Sequence, residues 1–215
     1  MAVELSASMM CADFSSLKEE VIKLEKAGVD AFHIDIMDGN FVDNFGMGYQ
    51  DMKIIRNNTK KKLDVHLMVS YPYNYLELLH GLSVDVIYVH PEVVADCATI
   101  IEKIKEMGIE AGIALTPGTS LGFVEELLNV SDRVLVLGVN PGHSGRTYQN
   151  YVDNKIEKLL AVQNRKFKII LDGAVTKDRI KKWGNLGVDG FILGTATLFG
   201  KKEEFSKIIQ EIRRL

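Results

Sequence analysis

The chain has little of what marks disulfide-bonded, nucleic-acid-binding or membrane proteins. Its 215 residues include only two cysteines, too few for a framework of disulfide bridges. Lysine and arginine number 26 against 29 acidic residues, and the net charge of −3 provides no basic field for nucleic acid. No apolar stretch approaches the roughly 20 residues that a membrane helix requires. We therefore expect neither a nucleic-acid partner nor a membrane partner.

Targeting and linker segments are also lacking. The opening stretch MAVELSASMM has neither the charged region nor the long apolar region of a signal peptide. The chain shows no heptad seam and no linker rich in proline or serine, and its 47% hydrophobic content suits one substantial core. The expectation is a cytoplasmic protein with a single domain over residues 1–215.

What the sequence does contain is an alternation of short Val- and Ile-rich runs with longer segments of helical period. The first helix is predicted in FSSLKEEVIKLEKAG. Its apolar face has four members at helical spacing: Phe14, Leu17, Val21 and Leu24. Ser16 followed by Glu19 suggests a capping box at its start, and Gly28 suggests a left-handed residue at its end.

Eight runs are predicted to be strands: VELSASM, DAFHIDI, KLDVHLM, VDVIYVH, EAGIALT, RVLVLGV, FKIILDG and DGFILGT. Each precedes a polar, helix-compatible stretch, which predicts parallel βαβ units. A doubly wound open sheet is one alternative, but the turn SASMMCADF lacks the G-x-G-x-x-G fingerprint of nucleotide sites in that fold. We therefore predict an α/β fold organised as a single (β/α)8 TIM barrel.

The second predicted strand carries polar side chains at alternating positions. His33 and Asp35 share one face, while Phe32, Ile34 and Ile36 share the other. If the apolar face meets the helices, His33 and Asp35 point into the barrel near its C-terminal end, where active sites of this fold are assembled. A carboxylate in that position costs free energy unless it has a partner.

Two other strands bring polar residues to the same rim. His66 lies in LDVHLMV, and Asp172 lies in IILDG at the end of the seventh strand. Imidazole and carboxylate groups suit Zn²⁺, Fe²⁺, Mn²⁺ or Co²⁺, so His33, Asp35, His66 and Asp172 form a candidate four-ligand site for one divalent metal ion. Each residue alone also fits an ordinary hydrogen bond or a turn, whereas the four together favour a metal.

The motifs around these residues resemble those of the ribulose-phosphate 3-epimerase family over essentially the whole chain. The shared pieces, in the family's order, are SASMMCADF, FHIDIMDGNFVDN, DVHLMV, HPE, VNPGHSG, LDGAV and LGTATLF. The combination of HIDIMDG with HLMV, VNPG and DG is specific to this family. HPE and the glycine-containing pieces would be weak evidence for it alone. The resemblance implies a barrel of the ribulose-phosphate-binding type and an isomerase that inverts C3 of a ketose phosphate.

The resemblance also implies roles for individual residues. His33, Asp35, His66 and Asp172 match the metal ligands, with Zn²⁺ the first candidate, and Asp35 and Asp172 match the catalytic acid and base. A hydrogen beside a carbonyl would leave from one face, giving an enediolate, and return on the other. A metal at the C2 oxygen would stabilise the developing negative charge. Positions that match the family's substrate pocket are Ser8, Met37 and Met68.

The substrate phosphate is expected to meet backbone N–H groups in the turns after the sixth, seventh and eighth strands. The candidate residues are Gly142, Ser144, Gly145, Gly173, Ala174, Gly194 and Thr195. Each of these turns could also be an ordinary tight turn.

The chain departs from the family pattern at several positions. It has GHSGR where the family commonly has GFGGQ, DGA in place of DGG, and Leu137 where a methionine is frequent. The effect of His143, Arg146 and Ala174 on phosphate binding is left open.

The choice of substrate is also open. MMC, LDVHLMV with the following YPYNY, and LGT look more like the branch acting on D-allulose 6-phosphate. One extra CHOH group would alter loop spacing rather than chemistry. We expect conversion of D-ribulose 5-phosphate to D-xylulose 5-phosphate, with conversion of D-allulose 6-phosphate to D-fructose 6-phosphate as the alternative.

Two other functions are weaker alternatives. A noncatalytic sugar-phosphate-binding barrel would be indicated by lost catalytic ligands, and all four are present. A metal-dependent decarboxylase or aldolase typically needs a pocket lysine, and no lysine lies at the key strand ends. A homo-oligomer is expected because several family members self-associate.

Overall fold

Eight parallel strands form a closed barrel in the computed structural model of the protein, which describes residues 3–215. The strands are β1 (Glu4–Ser8), β2 (Ala31–Met37), β3 (Lys62–Met68), β4 (Val86–Val89), β5 (Glu110–Leu115), β6 (Arg133–Leu137), β7 (Lys168–Asp172) and β8 (Gly190–Leu193). Each strand pairs with the next, and β8 pairs with β1. The predicted TIM barrel is confirmed, and the open sheet is excluded because the barrel is closed.

Seven α-helices connect or follow these strands. They are α1 (Leu17–Ala27), α2 (Tyr49–Asn58), α3 (Tyr73–Gly81), α4 (Cys97–Glu106), α5 (Asp153–Leu160), α6 (Lys177–Leu186) and α7 (Phe205–Arg213). The connection from β5 to β6 instead consists of two short 3₁₀ turns, at Leu121–Phe123 and Glu126–Asn129. Within residues 3–215, no helix combines the length and apolar character that a membrane crossing demands.

The start of α1 differs from its prediction in two respects. Phe14 lies in a preceding 3₁₀ turn and is 45% exposed, so it does not belong to the buried face of the helix. The capping box of Ser16 and Glu19 does not form, because the Ser16 hydroxyl donates to the Asp13 carboxylate at 3.1 Å. Gly28 ends the helix at a φ of 94°, in the left-handed conformation predicted for it.

Side-chain alternation along the strands separates two apolar layers, as β2 illustrates. Phe32, Ile34 and Ile36 belong to the large core that includes the helices. A smaller cluster fills the barrel interior, and its members are Val86, Tyr88, Ala114, Leu135, Leu137, Ile170 and Ile192. A Cβ atom at Gly112 would lie 2.4 Å from the Tyr88 ring, so the glycine gives that ring its space. The interior of the barrel is therefore packed rather than open.

The N-terminal end of the barrel is closed by an ion-pair network around the fully buried Arg133. Its guanidinium donates to Glu110 at 2.5 Å and to Glu4 at 2.6 and 3.2 Å. Lys62 also donates to Glu110, at 3.1 Å. Burial alone would raise the pKa of Glu110, but Arg133 and Lys62 lower it to about 2. The network therefore depends on a buried cation with two carboxylates around it.

Replacing Arg133 with Met should destabilise the fold by about 3 kcal/mol, because removing one partner leaves buried charge without compensation. Urea unfolding of the wild type and the variant measures the difference. Lys182→Met is the matched control, because it removes an exposed ion pair with Asp153 of 2.8 Å and should cost less than about 1 kcal/mol. Equal stabilities of the two variants would contradict the role given to Arg133.

Candidate active site

A cavity of about 330 Å³ opens at the C-terminal end of the barrel. Asp35, His66 and Asp172 line it, together with the loops after β6, β7 and β8. His33 is fully buried next to it, with Nε2 3.4 Å from an Asp35 oxygen. The cavity lies at the end of the barrel where this fold assembles its active sites.

Strand register brings the four predicted ligand residues together. His33 and Asp35 lie two residues apart on β2, and His66 is the β3 residue paired with Asp35. Asp172 is the last residue of β7. One ligand atom from each of the four lies within 4.8 Å of the others, and such a cluster can hold a divalent metal ion. The predicted convergence is confirmed, while the role of each residue stays a prediction.

His33 is oriented by a carboxylate that the sequence analysis did not single out. Its Nδ1 is hydrogen-bonded to Asp64, its register partner on β3, and Asp64 in turn accepts from the Ser6 hydroxyl at 3.0 Å. Because an ionised carboxylate can only accept, a proton lies on Nδ1, which leaves Nε2 as the atom that can bind a metal ion. That buried Nε2 has no hydrogen-bond partner within the described residues 3–215. A free imidazole nitrogen beside Asp35 fits a metal ligand.

The electrostatics around His33 favour positive charge in the cluster. Burial alone would lower the pKa of His33, but the Asp64 and Asp35 carboxylates raise it well above its ordinary value. A cation and a proton compete for the same lone pair, so a site that attracts a proton also attracts a metal ion. The donor set and its charge therefore fit a divalent cation.

The two carboxylates of the cluster have pKa values displaced in opposite directions. Burial would raise the pKa of Asp35, but the charge of His33 and the neighbouring rings of His33 and His66 bring it well below its ordinary value. Desolvation raises the pKa of Asp172, and the nearby Asp35 charge adds to this against the opposing charges of the two histidines. One site thus contains a strongly ionised carboxylate and one that protonates more readily.

His66 has a neighbour on each ring nitrogen. Its Nδ1 lies 3.2 Å from an Asp35 oxygen, and its Nε2 lies 2.8 Å from Nε2 of His90. His90 follows β4, is fully buried, and has a pKa lowered by that burial to about 4. The sequence signals for these partners were weak: Asp64 precedes His66 by two residues, and His90 begins the HPE motif.

The predicted substrate-pocket residues all line the cavity. The Ser8 hydroxyl donates to Asp35 at 3.3 Å. Met37 and Met68 are paired across β2 and β3, directly beyond the polar residues of those strands. Leu137 lines the same space. The structure thus places these residues where substrate contact is feasible, and their contacts with substrate stay predictions.

The predicted phosphate-binding residues also converge on the cavity: Gly142, Ser144, Gly145, Gly173, Ala174, Gly194 and Thr195 line it. Gly173 has a φ of 87°, and a Cβ atom there would lie 2.6 Å from the Val139 side chain. Ala174 has a φ of 50°, an uncommon left-handed conformation for a residue with a side chain. Successive backbone N–H groups in a turn can point toward one place, which is the arrangement of an anion site.

The residues that depart from the family pattern lie at the cavity mouth. Arg146 donates to Nδ1 of His143 at 3.2 Å and to the Asn140 carbonyl at 3.4 Å. Both side chains are exposed and line the cavity. The Asn44 amide donates to the Gly142 carbonyl at 2.6 Å, which joins the loop after β2 to the loop after β6. The substitutions therefore add positive charge beside the predicted phosphate turns.

Comparisons with a family model and with curated proteins point to the same family. Residues 4–198 match the model of the ribulose-phosphate 3 epimerase family. The chain is 34% identical over 215 residues to a ribulose-phosphate 3-epimerase of Bacillus subtilis, covering 98% of both chains. It is 36% identical over 204 residues to a ribulose-phosphate 3-epimerase of Methanocaldococcus jannaschii, covering 94% of this chain and 86% of that one.

A solved structure shares the fold at low sequence identity. The 3-hexulose-6-phosphate synthase from Salmonella typhimurium aligns with a TM-score of 0.71 at 19% identity. The alignment covers 98% of this chain and 97% of that chain. At this level of identity the likeness concerns the barrel alone.

Replacing Asp64 with Asn should lower Zn²⁺ affinity by about 10- to 100-fold, because the neutral amide holds His33 less firmly and makes its Nε2 less basic. Competition with a chromophoric chelator measures the affinity. The control is Asp85→Asn, which alters a carboxylate that accepts from the Leu63 N–H at 2.9 Å, away from the cavity. Unchanged Zn²⁺ affinity in a folded Asp64→Asn protein would contradict the role of this carboxylate.

Proposed function

The chain belongs to the ribulose-phosphate 3-epimerase family of carbohydrate isomerases, and on that premise we propose that it is a metal-dependent 3-epimerase interconverting D-ribulose 5-phosphate and D-xylulose 5-phosphate. The observation that carries the proposal is the meeting of Asp35 and Asp172 with two imidazoles at one cavity. The relatives from Bacillus subtilis and Methanocaldococcus jannaschii carry the name of this activity.

The two carboxylates would exchange the proton at C3. One takes the hydrogen on the carbon beside the C2 carbonyl, which leaves an enediolate, and the other returns a proton to the opposite face. Asp35 is on β2 and Asp172 ends β7, so β1 and β8 separate their strands around the barrel. Carboxylates from separate strands can approach a substrate from different sides, which inversion requires.

The other cavity residues would hold the substrate and shield the reacting carbon. A divalent cation, Zn²⁺ in the first instance, held by the four-residue cluster would act as a Lewis acid and stabilise negative charge on a substrate oxygen. Ser8 donates to Asp35 at 3.3 Å and so orients that carboxylate. Met37 and Met68 provide an apolar, polarisable wall that excludes water.

The phosphate group would lie against the three turns after β6, β7 and β8. Their seven candidate residues, which include the left-handed Gly173 and Ala174, all line the cavity. Backbone N–H groups bind phosphate well because they are donors of fixed direction. Arg146 at the mouth would add attraction for the dianion.

D-Allulose 6-phosphate is a second candidate substrate, and one observation favours it. Met10 and Cys11, from the MMC piece that is similar to the allulose-phosphate branch, line the cavity. A decarboxylase or aldolase is disfavoured, because none of the cavity-lining residues within the described chain is a lysine. A noncatalytic barrel is disfavoured by the complete four-residue cluster.

Two further expectations concern assembly and location. We propose that the protein self-associates and works in the cytoplasm. Large apolar side chains that are more than half exposed are the candidate contacts between copies, and they include Phe45, Tyr71, Phe123 and Tyr151. The mass of the protein in solution tests the first proposal, since a monomer would contradict it.

Turnover of both ketose phosphates by purified, Zn²⁺-reconstituted protein tests the proposed substrate. We expect kcat/KM for D-ribulose 5-phosphate to exceed that for D-allulose 6-phosphate by at least about tenfold, the scale set by differences of a few kcal/mol. The reverse preference would establish the alternative substrate. Turnover of neither, by protein that has bound Zn²⁺, would contradict the proposed function.

Replacing Asp172 with Asn should lower kcat by about 10²- to 10⁴-fold while the fold persists, because the variant lacks one of the two proton-transfer groups. Steady-state kinetics and circular dichroism provide the two readouts. Asp178→Asn is the matched control, since Asp178 is exposed on α6 and outside the cavity. Wild-type turnover by Asp172→Asn would exclude the two-carboxylate mechanism.

A further inference from the structure

We propose that His90 and Glu92 position His66, by fixing the tautomer that turns the Nδ1 lone pair of His66 toward the cluster. His90 would be a positioning residue in a series of polar contacts running from Glu92 through His90 to His66. The inference rests on the proposed function in one respect, namely that His66 binds the metal ion. It gives a role to the HPE motif, whose His90 and Pro91 are buried and which has no part in the proton transfers.

The contact between the two imidazoles is the first step. Nε2 of His66 and Nε2 of His90 lie 2.8 Å apart, and both rings are buried. Two neutral imidazole nitrogens at this distance share one proton, so one nitrogen donates and the other accepts. While both rings are neutral, two arrangements of the pair are compatible with the geometry.

The two arrangements differ at the metal cluster. If His66 donates, its Nδ1 carries a lone pair 3.2 Å from an Asp35 oxygen, and a cation bound by both atoms would relieve their repulsion. If His90 donates instead, the His66 proton moves to Nδ1, where it blocks metal binding. The first arrangement alone makes His66 a competent ligand.

Glu92 selects the first arrangement. When His66 donates, His90 accepts on Nε2 and carries its own proton on Nδ1. Oxygen Oε2 of Glu92 lies 3.5 Å from this Nδ1, a close electrostatic contact, and Nδ1 has no hydrogen-bond partner in the part of the chain that the structure describes. In the opposite arrangement a bare lone pair on Nδ1 would face the carboxylate, which is repulsive. With a cation in the cluster, Glu92 therefore favours the metal-binding tautomer of both rings.

Neighbouring side chains hold Glu92 and His90 in place. The Thr119 hydroxyl donates to the second oxygen of Glu92, and the Thr116 hydroxyl lies 2.8 Å from that of Thr119. The Phe41 ring packs on His90 with centroids 4.5 Å apart. These contacts limit rotation of both side chains, which is what an orienting group requires.

The two histidines of the cluster would then have opposite tautomers. His33 carries its proton on Nδ1, faces the cluster with Nε2, and is held directly by Asp64. His66 would carry its proton on Nε2, face the cluster with Nδ1, and be held by Glu92 through His90. An ordinary buried histidine would fill space at position 90 without fixing a proton on His66.

Nuclear magnetic resonance of ¹⁵N-labelled, Zn²⁺-loaded wild-type protein tests the tautomers directly. We expect the ring nitrogen shifts to show a protonated Nε2 in His66 and a protonated Nδ1 in His90. A proton on Nε2 of His90 would overturn the proposal. The readout involves no catalysis, and it stands even if the protein turns over neither ketose phosphate.

Variants at position 90 test the consequence for metal binding. His90→Leu removes the acceptor and should weaken Zn²⁺ binding by about 10- to 100-fold in chelator competition, whereas His90→Gln retains a carbonyl acceptor and should recover most of the affinity. His80→Leu, at an exposed histidine on α3, is the control and should bind as the wild type does. Wild-type affinity in His90→Leu, or equal losses in His90→Leu and His90→Gln, would overturn the proposal.

Discussion

Sheltering two carboxylates and two imidazoles at the mouth of the barrel is the constraint on which the rest of the site depends. Carboxylates removed from water are costly unless a cation or hydrogen bonds compensate them. At this site the Ser8 hydroxyl and His33, whose pKa is raised by the surrounding carboxylates, compensate Asp35. The same compensation makes the cluster attractive to a divalent cation, and in the proposed mechanism it keeps two carboxylates available for proton transfer.

The barrel supplies this arrangement through register and through an asymmetry between its ends. Pairing of β2 with β3 sets Asp64 beside His33 and His66 beside Asp35. The opposite end is closed by Arg133 and its carboxylates, and Tyr88 fills the interior between. The polar cluster and the cavity therefore lie at the C-terminal end, where the loops are available to bind a ligand.

Much of this could be predicted from the sequence, because a strand's period of two assigns His33 and Asp35 to one face and the parallel topology gathers strand ends. Asp64 and His90 were missed, since their partners depend on register between strands. The capping box at Ser16 failed because a nearby carboxylate competes for the hydroxyl. The opposite pKa shifts of Asp35 and Asp172 depend on three-dimensional distances that composition and spacing do not contain.

The most direct measurement is a crystal structure of the Zn²⁺-loaded protein with anomalous diffraction collected on both sides of the zinc absorption edge. The account predicts one strong anomalous peak per chain, bonded to Nε2 of His33, Nδ1 of His66 and carboxylate oxygens of Asp35 and Asp172. A peak bonded to Nε2 of His66, a peak elsewhere, or no peak at full zinc loading would contradict it.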